Sequence, residues 1–223
     1  MLGASIDSKS NIVAARIVCR IRPQNLNEKK SGGSSCLESS DTAIEVYTTL
    51  GQYPFECDHV FDESSSQSDL FNYCAKPHVE DTLAGINSTI LAFGQTGSGK
   101  TYSIEGDLNN PERIGIIPRA MIALFNAASD RSDSIDFVFK ISYVEIYNEK
   151  IIDLLPDVGS NTSSALNSVK IMGVNVNERI IRSHEMFIKY WKAGKSRHHT
   201  SYLFFIKDTL FWSSLIIVIP YFI

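Results

Sequence analysis

Hydrophobic and polar positions alternate along the first third of the chain. In residues 12–22, IVAARIVCRIR, Ile17, Cys19 and Ile21 recur at every second position, and Pro23 follows. That spacing predicts a β-strand, because successive strand side chains point to opposite faces. AIEVYT at 43–48 and FECDHVF at 55–61 alternate in the same way and predict two more strands, with Gly51 and Pro54 between them. QNLNEKKSGGSS, before these two, is polar, holds Gly32-Gly33 and reads as a loop. The period then changes. Leu70, Phe71, Cys74 and Leu83 fit a helix face in part, over a span from about Asp69 towards Leu83. Ser66 or Ser68 is placed to cap its start, and Pro77 should kink it. Gly85 and Asn87 form a turn, and STILAF at 88–93 reads as a short buried strand.

The second half mixes both periods. IGIIPRAMIALFNAAS begins a helix at about Pro118, a residue suited to a first turn. IDFVFKISYVEIY at 135–147 alternates long enough to be a central strand, and EKIIDLL is a helical or extended piece ending at Pro156. DVGSNTSSALNS has no apolar period and reads as a loop; VKIMGVNVN reads as a short strand pair. In SHEMFIKYWKAG, Met186, Phe187, Tyr190 and Trp191 form one helical stripe that Gly194 can end. Such a stripe is core rather than a cofactor box. Strands and helices in this mixture imply α/β layering.

Composition narrows the field. Of 223 residues, 43% are hydrophobic and 21% charged, as in an ordinary globular protein. A net charge of -4 gives no global footprint of nucleic-acid binding. Cys19, Cys36, Cys57 and Cys74 lack the close spacing of zinc ligands and read as reduced thiols of a cytosolic protein. His198-His199 point different ways on most backbones, so a basic loop is the simpler account. The opening MLGASIDSKSN has no apolar core and reads as a disordered start over 1–10, not a signal peptide.

Chemistry enters at Gly94-Gln95-Thr96-Gly97-Ser98-Gly99-Lys100-Thr101, which meets G-x-x-x-x-G-K-[ST] in full. The glycines let several backbone N–H groups turn towards one anion, and the following helix adds its positive end. Lys100 can reach the terminal phosphates, and the Thr101 hydroxyl can ligate Mg²⁺. The motif alone leaves ATPases, GTPases and kinases open. No N-K-x-D box for guanine is present, which leans towards adenine.

The flanking residues say more. TILAFGQTGSGKTYSIEG, preceded by VCRIRPQN and FECDHVFDE and followed by GIIPRA and SYVEIYNEKIIDLL, closely resembles the kinesin motor domain. The resemblance covers about Asn11 to Ser201 and is nearest to conventional kinesin of fungal type. It implies a three-layer P-loop NTPase fold with a mainly β central sheet flanked by helices, incomplete at its C-terminal side. It also implies Mg·ATP binding, hydrolysis coupled to movement along microtubules, and a place in the cytoplasm on the cytoskeleton. Through R-x-R-P it implies that Arg20, Arg22 and Pro23 line the adenine pocket, with Tyr102 a second adenine contact. Guanidinium and proline rings both pack on purine faces. Without the resemblance, Arg20 and Arg22 read as solvated ends of an edge strand.

Two motifs of that family are sought and not found. P-loop enzymes need a group to position water and an acid on a second strand to hold Mg²⁺. N-x-x-S-S-R-S-H has only a partial echo in IIRSHEMF at 180–187, where Arg182, Ser183 and His184 match in order. HEMFIKYWKAGKSRHHTS instead matches the helix that precedes this switch, so the echo reads as a decoy. D-x-x-G-x-E is absent, and in LIIVIP a proline, Pro220, stands where the acid should be. No catalytic residue is therefore assigned. Arg179 and Arg182 are candidate tubulin contacts, with ordinary surface charge as the alternative.

After Ser201 the family pattern stops, at YLFFIKDTLFWSSLIIVIPYFI. Three accounts stay open for residues 202–223: a membrane anchor, strands or a helix that complete the sheet, or sequence outside the evolved motor. About 15 apolar residues from Thr209 are short of the ~20 that span a bilayer. The function expected is an ATP-binding, kinesin-like motor domain in truncated form. The alternative is a non-catalytic nucleotide-binding fragment, or one attached to a membrane.

Overall fold

The computed structural model describes residues 15–131, 137–147, 150–155, 168–171, 174–195, 202–208 and 214–218. Residues 1–10, the loop at 157–167 and Pro220 therefore lie outside the described residues. The chain divides into two compact units, one through Ser64 and one from Ser65.

The first unit contains β1 (Val18–Arg20), α1 (Leu26–Lys30), β2 (Leu37–Ser39), β3 (Ala43–Thr48), β4 (Gly51–Glu56) and β5 (His59–Phe61). β1 lies parallel to β5, with Cys19 opposite Val60. Just before β5, the Asp58 carboxylate accepts from the Ile17 N–H at 2.6 Å, and Ile17 O accepts from the Asp58 N–H at 2.8 Å. Ile17 itself is 61% exposed, so its apolar face is not the buried one that alternation suggests. β2, β3 and β4 form an antiparallel sheet in that order.

Three differences from the sequence reading have local causes. The polar loop after Pro23 contains α1, because Asn25 and Glu28 form a capping box: Asn25 Oδ1 accepts from the Asn27 and Glu28 N–H groups at 2.9 Å each. Glu28 accepts from the Asn25 N–H at 2.7 Å in return. Gly51 and Pro54 do not separate strands but lie within β4, where Pro54 faces Glu45. β4 is an edge strand, so the missing proline N–H leaves no ladder bond broken. FECDHVF splits at Cys57-Asp58 between β4 and β5 rather than running on.

The second unit holds α2 (Gln67–Cys74), α3 (Lys76–Leu83), β6 (Ser88–Leu91), α4 (Lys100–Ile104), α5 (Ile116–Asp130), β7 (Phe139–Tyr147) and β8 (Lys150–Asp153). It continues with β9 (Ser168–Ile171), β10 (Val174–Asn177), β11 (Arg179–Ile181), α6 (His184–Lys195), β12 (Tyr202–Asp208) and β13 (Ser214–Val218). The expected kink near Pro77 is the break at Ala75 between α2 and α3, and Ser66 caps α2 in a capping box with Asp69. EKIIDLL resolves to a strand, β8, antiparallel to β7. Pro118 falls in the first turn of α5, and β9 and β10 form the expected hairpin.

The main sheet runs β11-β7-β12-β13-β6, with β8 also on β7. β12 pairs antiparallel with both β7 and β13, and β13 lies parallel to β6, with Leu215 opposite Ser88 and Val218 opposite Leu91. Two strands of residues 202–218 thus lie inside the sheet, the geometry expected by the second account of the tail. Among the described residues, no helix is long and apolar enough to cross a membrane.

α3 packs on β6 and β13, α6 packs on β11, and α5 touches α2, α3, α4 and α6. The core gathers Ile117, Met121 and Leu124 of α5, Ile141 and Tyr143 of β7, and Phe187 and Trp191 of α6, all wholly or almost wholly buried. The α6 stripe is core as expected, through Phe187 and Trp191 one turn apart. Gly194 does not end that helix, which continues to Lys195. A Cβ on Gly194 would lie 2.4 Å from Tyr143 Cδ1, so its role is close packing on β7.

Candidate functional site

β6 ends at Leu91 and α4 begins at Lys100; the phosphate motif, Gly94–Thr101, forms most of the turn between them and the first two residues of α4. Gly94, Gly97 and Gly99 take φ of +148°, +80° and +99°, values that side-chain-bearing residues rarely adopt. Gly94 adds a second constraint. A Cβ there would sit 2.6 Å from Ser98 Oγ, so the turn is tight where backbone must curl. Gly99 is the N-cap of α4 and makes no side-chain cap, which leaves the first N–H groups of the helix directed at the turn.

Lys100 is 8% exposed. Its Nζ donates to Gly94 O at 2.6 Å and Gln95 O at 2.8 Å, spanning the mouth of the turn. An ammonium bridging those carbonyls is held by the backbone of the loop itself. Buried Ser98 Oγ has no hydrogen-bond partner among the described residues. Thr101 is exposed in the first turn of α4, next to Lys100. A cradle that a Cβ would fill, an unpartnered hydroxyl and one buried cation suit a phosphate chain with a divalent ion.

Tyr102 is 45% exposed on α4. Its carbonyl accepts from Gln67 Nε2 at 2.6 Å; the same nitrogen donates to Arg113 O at 3.1 Å. Sequence reasoning missed Gln67, which is 3% exposed, and missed Glu105, which is fully buried and ion-paired with Lys195. Neither lies in a periodic pattern or known phosphate motif. Glu105 lies in the stretch TILAFGQTGSGKTYSIEG that carries the resemblance, but nothing in its letters marks it as buried or names its partner.

Arg20, Arg22 and Pro23 belong to the first unit; the phosphate loop and Tyr102 belong to the second. Arg20 ends β1 and is half-buried; Arg22 and Pro23 are exposed. Arg22 Nη2 meets Glu28 Oε1 at 2.5 Å, and Nη1 donates to Pro23 O at 3.2 Å. The Arg22 bond, aided by the Asn25 N–H, holds the Glu28 carboxyl below its usual range. The guanidinium is therefore ordered by the capping box of α1 instead of being a loose surface charge.

IIRSHEMF has a structural role that explains its polar letters. Ser183 Oγ accepts from the Met186 N–H at 3.2 Å and its carbonyl from the Phe187 N–H at 3.1 Å, capping α6. Arg182 is exposed. Arg179 is 5% exposed, with Nη1 donating to Glu178 O at 3.5 Å, so ordinary surface charge does not describe it. Among the described residues no cluster of His, Cys, Asp and Glu could hold a metal ion.

Known proteins resemble the chain along most of its length. The family profile described as Kinesin motor domain matches residues 20–203. Kinesin-1 heavy chain of Homo sapiens is 36% identical over 189 residues, covering 83% of this chain and 19% of that protein. Kinesin-like protein 3 of Schizosaccharomyces pombe is 39% identical over 166 residues, covering 74% of this chain and 30% of that one. A solved "fast kinesin", described with implications for ATPase mechanism and interactions with microtubules, aligns at a TM-score of 0.76 and 29% identity. That alignment covers 91% of this chain and 64% of the solved one. The chain spans about a fifth of the length of the kinesin-1 heavy chains it matches. With a P-loop sheet, a family match over most of its residues and a motor-domain structural neighbour, this chain belongs to the kinesin motor domain family.

Proposed function

We propose that the chain binds Mg·ATP through the phosphate loop and serves as part of a microtubule motor on the cytoskeleton. The observation that carries this is the loop itself: three left-handed glycines and a buried Lys100 bridging Gly94 O and Gln95 O. A triphosphate would take the place of those carbonyls as the partner of Lys100 Nζ. The N–H groups opening α4 would hold its β-phosphate side, and Thr101 Oγ would supply one ligand to Mg²⁺. The ion would neutralise charge between the outer phosphates. Arg20, Arg22, Pro23 and Tyr102 are the adenine contacts in this reading. Microtubule binding and movement are inferred from the family the chain belongs to.

A second reading, nucleotide binding without turnover, is favoured by one particular feature. β13 lies parallel and adjacent to β6, the strand that feeds the phosphate loop. P-loop enzymes carry an acid for Mg²⁺ on a second strand, and here Val218 is followed by Ile-Pro-Tyr-Phe-Ile. No carboxylate stands in that run. The two readings separate in one experiment: binding of a fluorescent ATP analogue with and without Mg²⁺, alongside phosphate release with and without microtubules. Microtubule-stimulated release supports the motor; binding without release supports the second reading; no binding sinks both.

A further inference from the structure

α4 is five residues long, and its two ends serve different purposes. Lys100 and Thr101 open it beside the phosphate loop. Glu105 closes it, with a carboxylate that is fully buried. A negative charge at a helix C-terminus meets the negative end of the backbone dipoles, and burial strips its water. The Lys195 ammonium at the end of α6 offsets both by pairing with Glu105 Oε2.

Lys195 does not reach Glu105 from a loose tether. The residue before it, Gly194, lies against the Tyr143 ring so closely that no side chain fits. The last turn of α6 is therefore seated on β7. Gln67 secures the same end of α4 from α2, through the Tyr102 carbonyl at 2.6 Å. Between its ends α4 is one continuous piece: the Ser103 N–H donates to Gly99 O at 2.9 Å and the Glu105 N–H to Thr101 O at 2.8 Å. A shift at Glu105 thus travels directly to Lys100 and Thr101.

We propose that Lys195 is a positioning residue for nucleotide binding, setting the place of α4, and hence of Lys100 and Thr101, through its ion pair with Glu105. The inference rests on the nucleotide reading above. It assigns Lys195 no contact with phosphate. By linkage, phosphates held at one end of α4 alter the Lys195–Glu105 pair at the other by the same coupling free energy.

Two measurements test it. Lys195→Met removes the charge at nearly constant length, and Lys195→Arg keeps it. The dissociation constant of a fluorescent ATP analogue should rise about fivefold or more in Lys195→Met, the lower end of usual coupling, and stay within about twofold in Lys195→Arg. An unchanged constant in Lys195→Met overturns the proposal. The second measurement uses the unsubstituted chain, so it survives if Lys195→Met fails to fold. Reductive ¹³C-methylation keeps lysine charge; the Lys195 resonance is identified by its loss in Lys195→Arg. It should move on adding the analogue, and should not move in Lys100→Ala. Analogue binding without movement overturns the proposal and leaves the nucleotide reading standing; no binding by the unmethylated chain overturns both.

Discussion

The phosphate loop and segment 20–23 each match a motif letter for letter, yet the structure builds them differently. In the loop, the chemistry belongs to the backbone: glycine conformations at 94, 97 and 99 aim N–H groups that any sequence of this pattern would aim. In segment 20–23 the chemistry belongs to side chains, and Arg22 is already engaged by Glu28 five residues beyond Pro23. A backbone motif announces its geometry in its own letters. A side-chain motif acquires its geometry from neighbours outside the motif, here a capping box.

Breaking the loop should therefore cost far more than breaking the segment. Lys100→Ala removes the buried ammonium of the loop, and affinity for an ATP analogue should fall about a hundredfold, or ~2.7 kcal/mol, read by fluorescence titration. Gly97→Ala comes next. No atom lies within 4 Å of its added methyl, so any loss isolates the cost of φ +80°. That cost is ~1–2 kcal/mol, and affinity should fall roughly tenfold if the loop must hold this shape to bind. An unchanged affinity would show that the left-handed geometry is not needed for binding. Arg22→Ala should weaken the analogue only about two- to threefold, since one exposed contact is lost. A loss matching that of Lys100→Ala would erase the distinction between the two regions.

The smallest effect is on pH dependence. Arg22 and the Asn25 N–H hold Glu28 below its ordinary value of 4.5, and Ser66 holds Asp69 below 3.8. Carboxyl groups with lowered folded values add stability that is complete above the unfolded values. It is lost as pH falls through the folded ones. Thermal melts should therefore show constant contributions from these caps near neutrality and a decline below about pH 4.5. In Arg22→Ala the part due to Glu28 should shrink; identical acid limbs in both proteins would remove Arg22 from the account.

Much of the fold is legible in the sequence because its signals are local. Ser66 and Asp69, Pro77, the alternation of AIEVYT, and the stripe of Phe187 and Trp191 each act within one or two turns. The short α1 escaped because a polar stretch shows no apolar period, although its Asn25-x-x-Glu28 box was present. Residues 202–218 escaped for the opposite reason. Their apolar letters permit a strand, a helix or a membrane segment, and only partners β7 and β6, far away in the chain, select strands. The buried Glu105 and Gln67 were equally hidden, since each is defined by a partner on another element.

Gly106 and Gly115 have an effect on how this chain could change. A methyl group on either would fall within 2.5 Å of backbone on the opposite side, and the Gly115 N–H donates to Glu105 O at 2.8 Å. Arg119 grips the crossing from α5, donating to Ile114 O at 2.9 Å and Glu112 O at 2.9 Å. The eight residues between these glycines leave and return through a fixed gate. Backbone from Pro111 to Ile114 is held by Arg119 and Gln67, so the stretch free to drift in length and composition, or to take an engineered insert, is the tip at Leu108–Asn110, with α4 and α5 keeping their places on either side.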